Sequence, residues 1–485
     1  MPAKTDFRFW LFGAAAAILA YQLFVPPIVG LADQGDFIRV IRPFGYGPEP
    51  TSVNLKYNFV PRRYVPDSGY RALDWEQPTS ESLPVAAAIL LNRLVSKDGS
   101  LNIEVVGFTH ALLFLAAFAS FLSAIQGIFG GAILGAFAIL ALTDVGYAAY
   151  WNSLYREPAA CIALILLLAE TIRICRRSEV SMSVYVRWTL WAILLIGAKP
   201  QYAPLALPLV LFLFRRRQPG RGLCAAAILG TAVLSVATIP KAEGSAATYN
   251  LIFDAVLPES KDPSADLKAL GLDPRFAHYS GTHTWSEGTG FYEPGLLGVI
   301  GTRVTPVSVA RFYLQRPARL WRHVHLLMRQ AASLRPEFSG NFEQSAGYPP
   351  GARSHAFSLW SAIHEHVLGK AMVIELLLMI AAPLLALLPT PRLRRSPNRR
   401  WIEFAGLLAS CGVLAFLAAA FGDARDNVKH MFLFNLLLDA LVVTGIAFAM
   451  ASARERFVKA RSPITSVRRT QEVTVLASRH RRSRS

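Results

Sequence analysis

The chain has 485 residues, of which 53% are hydrophobic and only 17% charged, and its apolar residues collect into runs of about twenty, the signature of membrane-spanning helices. A formal charge of +18 would suit nucleic acid if it formed one face. The excess instead stands in short clusters between apolar runs (Arg173, Arg176 and Arg177; Arg215 to Arg217 and Arg221; Arg392, Arg394, Arg395, Arg399 and Arg400), which argues against nucleic acid and follows the positive-inside pattern of polytopic proteins.

Hydropathy places spans near 9–29, 105–125, 129–149, 158–174, 186–199, 201–214, 222–240, 368–389, 402–421 and 430–451, ten in all. The first is too long, and followed by too many others, to read as a cleaved signal peptide, although Lys4 and Arg8 precede it. With the N-terminus cytoplasmic, every arginine cluster falls inside, and so does the basic, serine-rich stretch 453–485, which reads as a disordered cytoplasmic tail. Residues 1–452 then form one membrane domain with two large extracytoplasmic loops, 30–104 and 241–367, and short outer turns at 150–157 and 422–429. The fold class is an all-α polytopic membrane protein of about ten transmembrane helices.

Within the first loop, Leu83, Ala87, Leu90, Leu91 and Leu94 recur at helical spacing over 83–97, as an interfacial helix or an ordinary loop helix would. In the second, Val307 to Leu334 interleaves Phe312, Tyr313, Leu320, Trp321, Val324, Leu327 and Met328 with basic residues. Such a stretch suits a phosphate-bearing surface or packs on the membrane domain. The four cysteines, Cys161, Cys175, Cys224 and Cys411, all lie in or beside apolar runs, so neither a disulfide framework nor a CxxC metal site is expected. The GxxxxGK[ST], GxSxG, HExxH and dinucleotide fingerprints are missing, which sets aside the enzymes that use them.

Chemistry-bearing residues cluster at the outer ends of the spans. Asp33 and Asp36 follow the first span and share one face if the chain stays helical; carboxylates there are also ordinary solvated flanks. The turn Tyr150-Trp151-Asn152-Ser153-Leu154-Tyr155-Arg156-Glu157-Pro158 mixes aromatic, amide and charged groups, like a sugar-binding surface or like an interfacial belt with a helix-start acid. Lys199 and Gln201 stand between two spans, where a lysine needs an anion or must snorkel. Asp423, Arg425, Lys429 and His430 make the last outer turn. Inside spans, Asp144 and Glu170 lie near the ends and are expected to reach water, while Glu375 and Asp439 are deeper and open a proton-relay reading.

Ala32-Asp33-Gln34-Gly35-Asp36-Phe37, Tyr155-Arg156-Glu157-Pro158, Ala198-Lys199-Pro200-Gln201, Tyr313-Leu314-Gln315-Arg316-Pro317, Ser339-Gly340-Asn341 and Gly422-Asp423 through Asn435, in that order, resemble the GT-C integral-membrane glycosyltransferases, more narrowly the bacterial hexose transferases of surface-glycan biosynthesis. The resemblance runs from about residue 9 to 450. It implies a polyprenyl-phosphate-sugar donor, an acceptor that is a glycan, a lipid or a protein, and inverting transfer on the outer face of the plasma membrane. By the same resemblance one acid of the first loop is the base, Asp36 or else Asp33, and Glu157 orients acceptor or sugar. Lys199, Lys429 and His430, helped by Arg156 or Arg425, would hold the lipid phosphate, with Tyr155, Gln201 and Asp423 also lining the substrate site. It accommodates a divalent metal held by such acids and metal-free transfer alike. The chain departs from oligosaccharyltransferases in having no WWD signature. A lipid-linked sugar flippase or proton-coupled transporter is the rival reading, and a non-catalytic scaffold the third.

Overall fold

The computed structural model describes residues 6–450 and 453, apart from 52, 70–76, 128–129, 178, 217, 388–398 and 448. The predicted tail beyond residue 453 and Arg217, Arg392, Arg394 and Arg395 lie outside the described residues. Four described helices are long and apolar enough to cross a membrane alone: Phe7–Phe24, Ile103–Ile125, Glu157–Arg176 and Arg399–Gly422. Three bent pairs raise the number to seven if each is one span: Gly131–Leu142 with Val145–Trp151, Arg221–Ala237 with Lys241–Val256, and Leu359–Ala371 with Ile374–Leu384. Met182–Ala198 and Phe432–Ala447 are apolar but shorter, and the run at 201–214 is a 3-10 turn, Pro200–Leu205, leading into helix Ala206–Arg215. Each of the ten predicted runs is therefore helical over most of its length. Two of the breaks come where a polar residue caps the next turn, at Asp144, or where proline interrupts the ladder, at Pro240.

The first run shows this best. Its helix stops at Phe24 instead of continuing to 29, because Pro26 and Pro27 cannot donate to the helical ladder. The chain then enters strand β1, Val29–Leu31, which pairs antiparallel with β5, Ser339–Phe342. Strands β2, Tyr46–Pro48, β3, Arg63–Pro66, and β4, Leu101–Asn102, form a second small antiparallel sheet. Asp33 and Asp36 consequently do not share a helical face, contrary to the expectation from the apolar run.

Asn152 ties this segment to the bundle. Its amide donates to the carbonyls of Leu23 at 3.0 Å and Val29 at 2.9 Å, spanning the proline break from both sides. The neighbouring backbone comes so close that a Cβ on Gly30 would stand 2.6 Å from the Asn152 carbonyl oxygen, and one on Gly107 would collide with the Asn152 amide. Only glycine fits at these two positions.

The helix predicted at 83–97 spans Ser82–Val95, packing Val85, Ala88 and Ile89 inward while Leu83, Leu90, Leu94 and Val95 stay exposed. Pro317 splits the amphipathic stretch at 307–334 into Pro306–Leu314 and Pro317–Ala331. The second helix rests on the bundle through His323, whose Nε2 is 3.0 Å from the Ala420 carbonyl, and through Leu327 and Met328. A separate small core of Tyr249, Phe253, Leu267, Phe276, Phe291 and Phe312 lets the second loop fold as a unit.

Two of the intramembrane acids do not reach water as expected. Asp144 is buried, capping Val145–Ala148 and accepting from the Ser361 backbone at 2.9 Å, and Glu170 is buried between Arg187 and Arg173. A buried carboxylate persists only with such partners. Asp439 accepts from Tyr147, Trp360 and His364 at 2.8–3.0 Å, which fastens the region around residues 359–368 to the bundle. Substituting valine for Gly107 should lower stability by about 1–3 kcal/mol through overpacking against Asn152. A drop in the thermal unfolding midpoint of the purified protein, partly relieved by Asn152→Ala, is the expected readout.

Candidate active site

Four separate stretches of chain meet at one end of the helices. Helix Glu157–Arg176 begins with Glu157 and Pro158, and its Ala159 N–H donates to Glu81 at 2.8 Å. Glu81 is itself held by His110 at 2.6 Å, and the other ring nitrogen of His110 contacts the Trp151 carbonyl at 2.8 Å. This buried link fixes the turn carrying Tyr155, Arg156 and Glu157 against the second long helix. The lysine that ends helix Met182–Ala198, Lys199, is extended (φ −155°), and its Nζ lies 3.0 Å from Glu157 Oε1.

Gln201, on the following 3-10 turn, grips His430 twice. Its Nε2 donates to the His430 carbonyl at 2.8 Å, and its Oε1 is 3.0 Å from Nδ1. Because the amide oxygen can only accept, that contact places a proton on Nδ1. Lys199 Nζ stands 3.5 Å from the same nitrogen.

On the other side, Asp36 closes the set. Its Oδ2 receives Lys429 Nζ at 2.6 Å and the Gln34 amide at 2.9 Å, and its Oδ1 is 2.9 Å from Arg39. Arg39 reaches on to Glu243 at 3.4 Å. Lys429 is buried, lies 5.6 Å over the Tyr155 ring, and is 3.9 Å from Asp426. Burial by itself would raise the Asp36 pKa, but the charges of Lys429 and Arg39 outweigh it and hold the carboxyl well below the usual carboxylate range. Lys429 is raised in return, its burial overcome by Asp36 and Asp426.

The structure thus brings Asp36, Tyr155, Glu157, Lys199, Gln201, Lys429 and His430 into one connected array. Arg156 is buried beside it with its guanidinium on Gln77, and its charge is felt by both Asp36 and Lys199. Asp33 has a different occupation: it accepts from the Gly35 and Phe37 backbone at 2.7 and 3.2 Å, shaping the turn that aims Asp36. Asp423 and Arg425 start the turn that carries Lys429, yet their partners are Asn250 at 3.1 Å and Asp254 at 3.4 Å in the second loop. The aromatic turn is not an open sugar-binding surface, since Tyr150, Trp151 and Tyr155 are all buried; Tyr155 is packed by Phe37, Phe338 and Tyr150. Glu243 escaped the sequence reading, and Arg39 and Asp426, although beside or within the quoted motifs, were given no role, because they are ordinary loop charges until the fold is closed. Among the described residues no group of three His, Cys, Asp or Glu side chains is placed to hold a metal ion.

An apolar groove of about 730 Å³ adjoins the array, lined by Pro200, Gln201, Ala232, Val236, Leu417 and Phe421 among others. Gln201 belongs to both. The rest of its lining is apolar, and none of the charged residues of the array is part of it.

A multi-pass helical membrane protein with a paired-charge site at one end of its bundle is what the fold and the site define. The sequence profile of the YfdI N-terminal transmembrane domain matches residues 10–466, and the chain belongs to that family. Comparison with curated protein sequences gives no significant match. Among solved structures, the chain is similar to the archaeal oligosaccharyltransferase AglB from Archaeoglobus fulgidus in complex with an inhibitory peptide and a dolichol-phosphate (13% identity, TM-score 0.41, 95% of this chain and 52% of that one). It is also similar to the Archaeoglobus fulgidus oligosaccharyltransferase in the apo form (14% identity, TM-score 0.39, 94% and 52%). The chain spans about half the length of those proteins.

Burial pushes Asp423 up to about 6. A carboxyl whose folded pKa exceeds its unfolded value stabilises the fold below the unfolded pKa, and that contribution disappears as pH rises through the folded one. Stability should therefore fall between about pH 4 and pH 6 from this residue, by at most about 1.4 kcal/mol per pH unit. Asp423→Asn should flatten that part of the unfolding midpoint against pH; an unchanged profile would show that Asp423 does not titrate there.

Proposed function

We propose that this chain is a GT-C-type membrane glycosyltransferase that moves a hexose from a polyprenyl-phosphate donor to an acceptor hydroxyl in cell-surface glycan synthesis. In this reading the site faces the outer side of the plasma membrane, with both termini cytoplasmic. The observation that carries it is the juxtaposition of the Asp36–Lys429 and Glu157–Lys199–His430 contacts with an apolar groove through Gln201.

In the free protein Lys429, Arg39 and Lys199 are each paired with a carboxylate. An arriving lipid phosphate competes for Lys429, Arg39 and Lys199, and in taking them it strips Asp36 of the charges that depress its pKa. The released carboxylate is then a stronger base. It takes the proton of the acceptor hydroxyl as that oxygen attacks the anomeric carbon, and the C–O bond to phosphate breaks on the opposite face. The leaving phosphate keeps the bonding electron pair, and the lysines and arginine hold its charge. Glu157, relieved of Lys199, is free to accept from a sugar hydroxyl. No strong general acid is required, because a phosphate monoester dianion departs without one.

Replacement of Asp36 by Asn should reduce hexose transfer by about 10²–10⁴-fold with donor binding retained. Lys429→Met should weaken donor binding as well as turnover. The transporter reading makes the opposite forecast: Glu375→Gln would abolish function and Asp36→Asn would leave it. Assay of sugar release from a polyprenyl-phosphate hexose by the purified variants decides between them. Retained release in Asp36→Asn would end the transferase mechanism as written.

A further inference from the structure

The amphipathic pair Pro306–Leu314 and Pro317–Ala331 takes no part in the candidate site, yet it sits where the spans stop. Pro306 shares the apolar groove with Val233, Val236, Leu417 and Phe421. The rings of Tyr313 and His323 both pack on Phe421, with centroids 5.9 and 5.8 Å away, and His323 Nε2 is 3.0 Å from the Ala420 carbonyl. At the far end the Asn435 amide donates to the Ala331 carbonyl at 2.9 Å, and a Cβ on Gly369 would stand 2.8 Å from the Cβ of Ala332. Ala420 and Phe421 close helix Arg399–Gly422, Gly369 opens helix Gly369–Leu387, and Asn435 lies in the first turn of Phe432–Ala447. The two short helices therefore form a collar at the depth where those longer helices end.

The far side of the collar is open. Val307, Arg311 and Leu314 recur at spacings of four and three on the first helix, and all three are exposed. On the second, Trp321, Arg322, His325, Leu326 and Arg329 share one exposed face. Other cations of the pair are satisfied inward, since Arg316 and Arg319 turn to Asp266. On the open face Arg322 has Glu259 only at 4.0 Å, and Arg311, His325 and Arg329 have no carboxylate partner among the described residues. Exposed tryptophan, leucine and valine gain nothing from facing water, and three arginines could not lie in hydrocarbon without counter-charge. Their mixture suits the boundary between acyl chains and headgroups, where apolar side chains insert and basic tips meet phosphate.

We propose that the open face of this collar binds anionic phospholipid of the surrounding leaflet, with lipid phosphates on Arg311, Arg322 and Arg329 and with Leu314, Trp321 and Leu326 entering the acyl boundary. Charge of one sign on the protein is answered better by an anionic headgroup than by a zwitterionic one. The inference stands apart from the transferase reading, because it concerns lipid held on the outside of the loop helices and uses none of the candidate site residues.

The test uses the full chain in lipid nanodiscs. All four native cysteines are buried, so a nitroxide attached at Ala318→Cys, an exposed position on the same face, reports that face alone. With headgroup-labelled lipid as the depth standard, collision rates with oxygen and with a nickel chelate should place the nitroxide at or below the phosphate plane. Unlabelled protein with spin-labelled phosphatidylglycerol or phosphatidylcholine then reads selectivity. The motionally restricted fraction should favour phosphatidylglycerol by about fivefold, and the combined Arg311→Gln, Arg322→Gln and Arg329→Gln variant should lose most of that preference. Should the triple variant fail to fold, Arg329→Gln alone and the depth of the nitroxide still decide. A nitroxide as open to the nickel chelate as bulk water allows, which a face kept for a soluble partner would give, overturns the proposal. So does a preference unchanged by the substitutions, or one abolished by inorganic phosphate at matched ionic strength, which would mark a site for a free anion.

Discussion

The ion pair between Asp36 and Lys429 joins residues 393 positions apart, and the architecture at this end of the bundle depends on it. Lys429 is buried and Asp36 partly so, and removing Asp36 leaves the buried lysine with only Asp426, 3.9 Å away, as ion-pair partner among the described residues. The pair closes the first loop onto the last turn. Once it forms, Tyr155 is pressed beneath Lys429, Asp36 is held by Arg39, and Arg39 is carried to Glu243. Glu157 and Lys199 repeat the arrangement one step away, and Gln201 locks His430 between the two systems. Charges alternate through the cluster, which is how several of them can be tolerated within a largely apolar bundle.

Rigidity around this cluster comes from neutral groups. Asn152 bridges the proline break after the first helix, Asn341 pins the Tyr57–Asn58 backbone, and Asn250 links the second loop to the turn at Asp423. Three side-chain amides therefore hold the loops in register where helices give out. Each supplies the partner that a buried backbone carbonyl, N–H or carboxylate would otherwise lack. Side chains mounted on so braced a frame lose little entropy when a ligand arrives, which is what preorganisation requires.

The helices were legible because apolar runs must form them; the loops were not, because their order depends on contacts between distant residues. Proline at 26 and 27 was visible and does end the first helix at Phe24, but hydropathy averaging carried the run past it. Lys199 and Lys429 stood out as cations against the charge pattern, and each is found on a carboxylate. Nothing in spacing could assign Lys429 to Asp36 instead of Glu157. Asp33 and Asp36 were indistinguishable as letters, and only the turn at Gly35 separates a backbone cap from an ion-pair partner. Tyr150 and Trp151 read as a candidate sugar surface, and the fold buries both. Aromatic identity is local information, whereas exposure is a property of the assembled chain.

The depressed pKa of Asp36 bears directly on the chemistry proposed for it. A carboxylate tied to two cations is a poor base in the free protein. Basicity can rise only when another anion claims the cations; the donor's phosphodiester carries a single charge and gains its second as the bond to the sugar breaks, so the cations are drawn to it most strongly in the transition state. In the proposed mechanism the donor thereby frees the base that its own reaction uses. Protonated Asp36 has no further attraction for Lys429, so the lysine stays with the departing phosphate through the step in which charge builds there. After release of the lipid phosphate, loss of the proton re-forms the ion pair, and the same Coulomb attraction that ordered the loops resets the site.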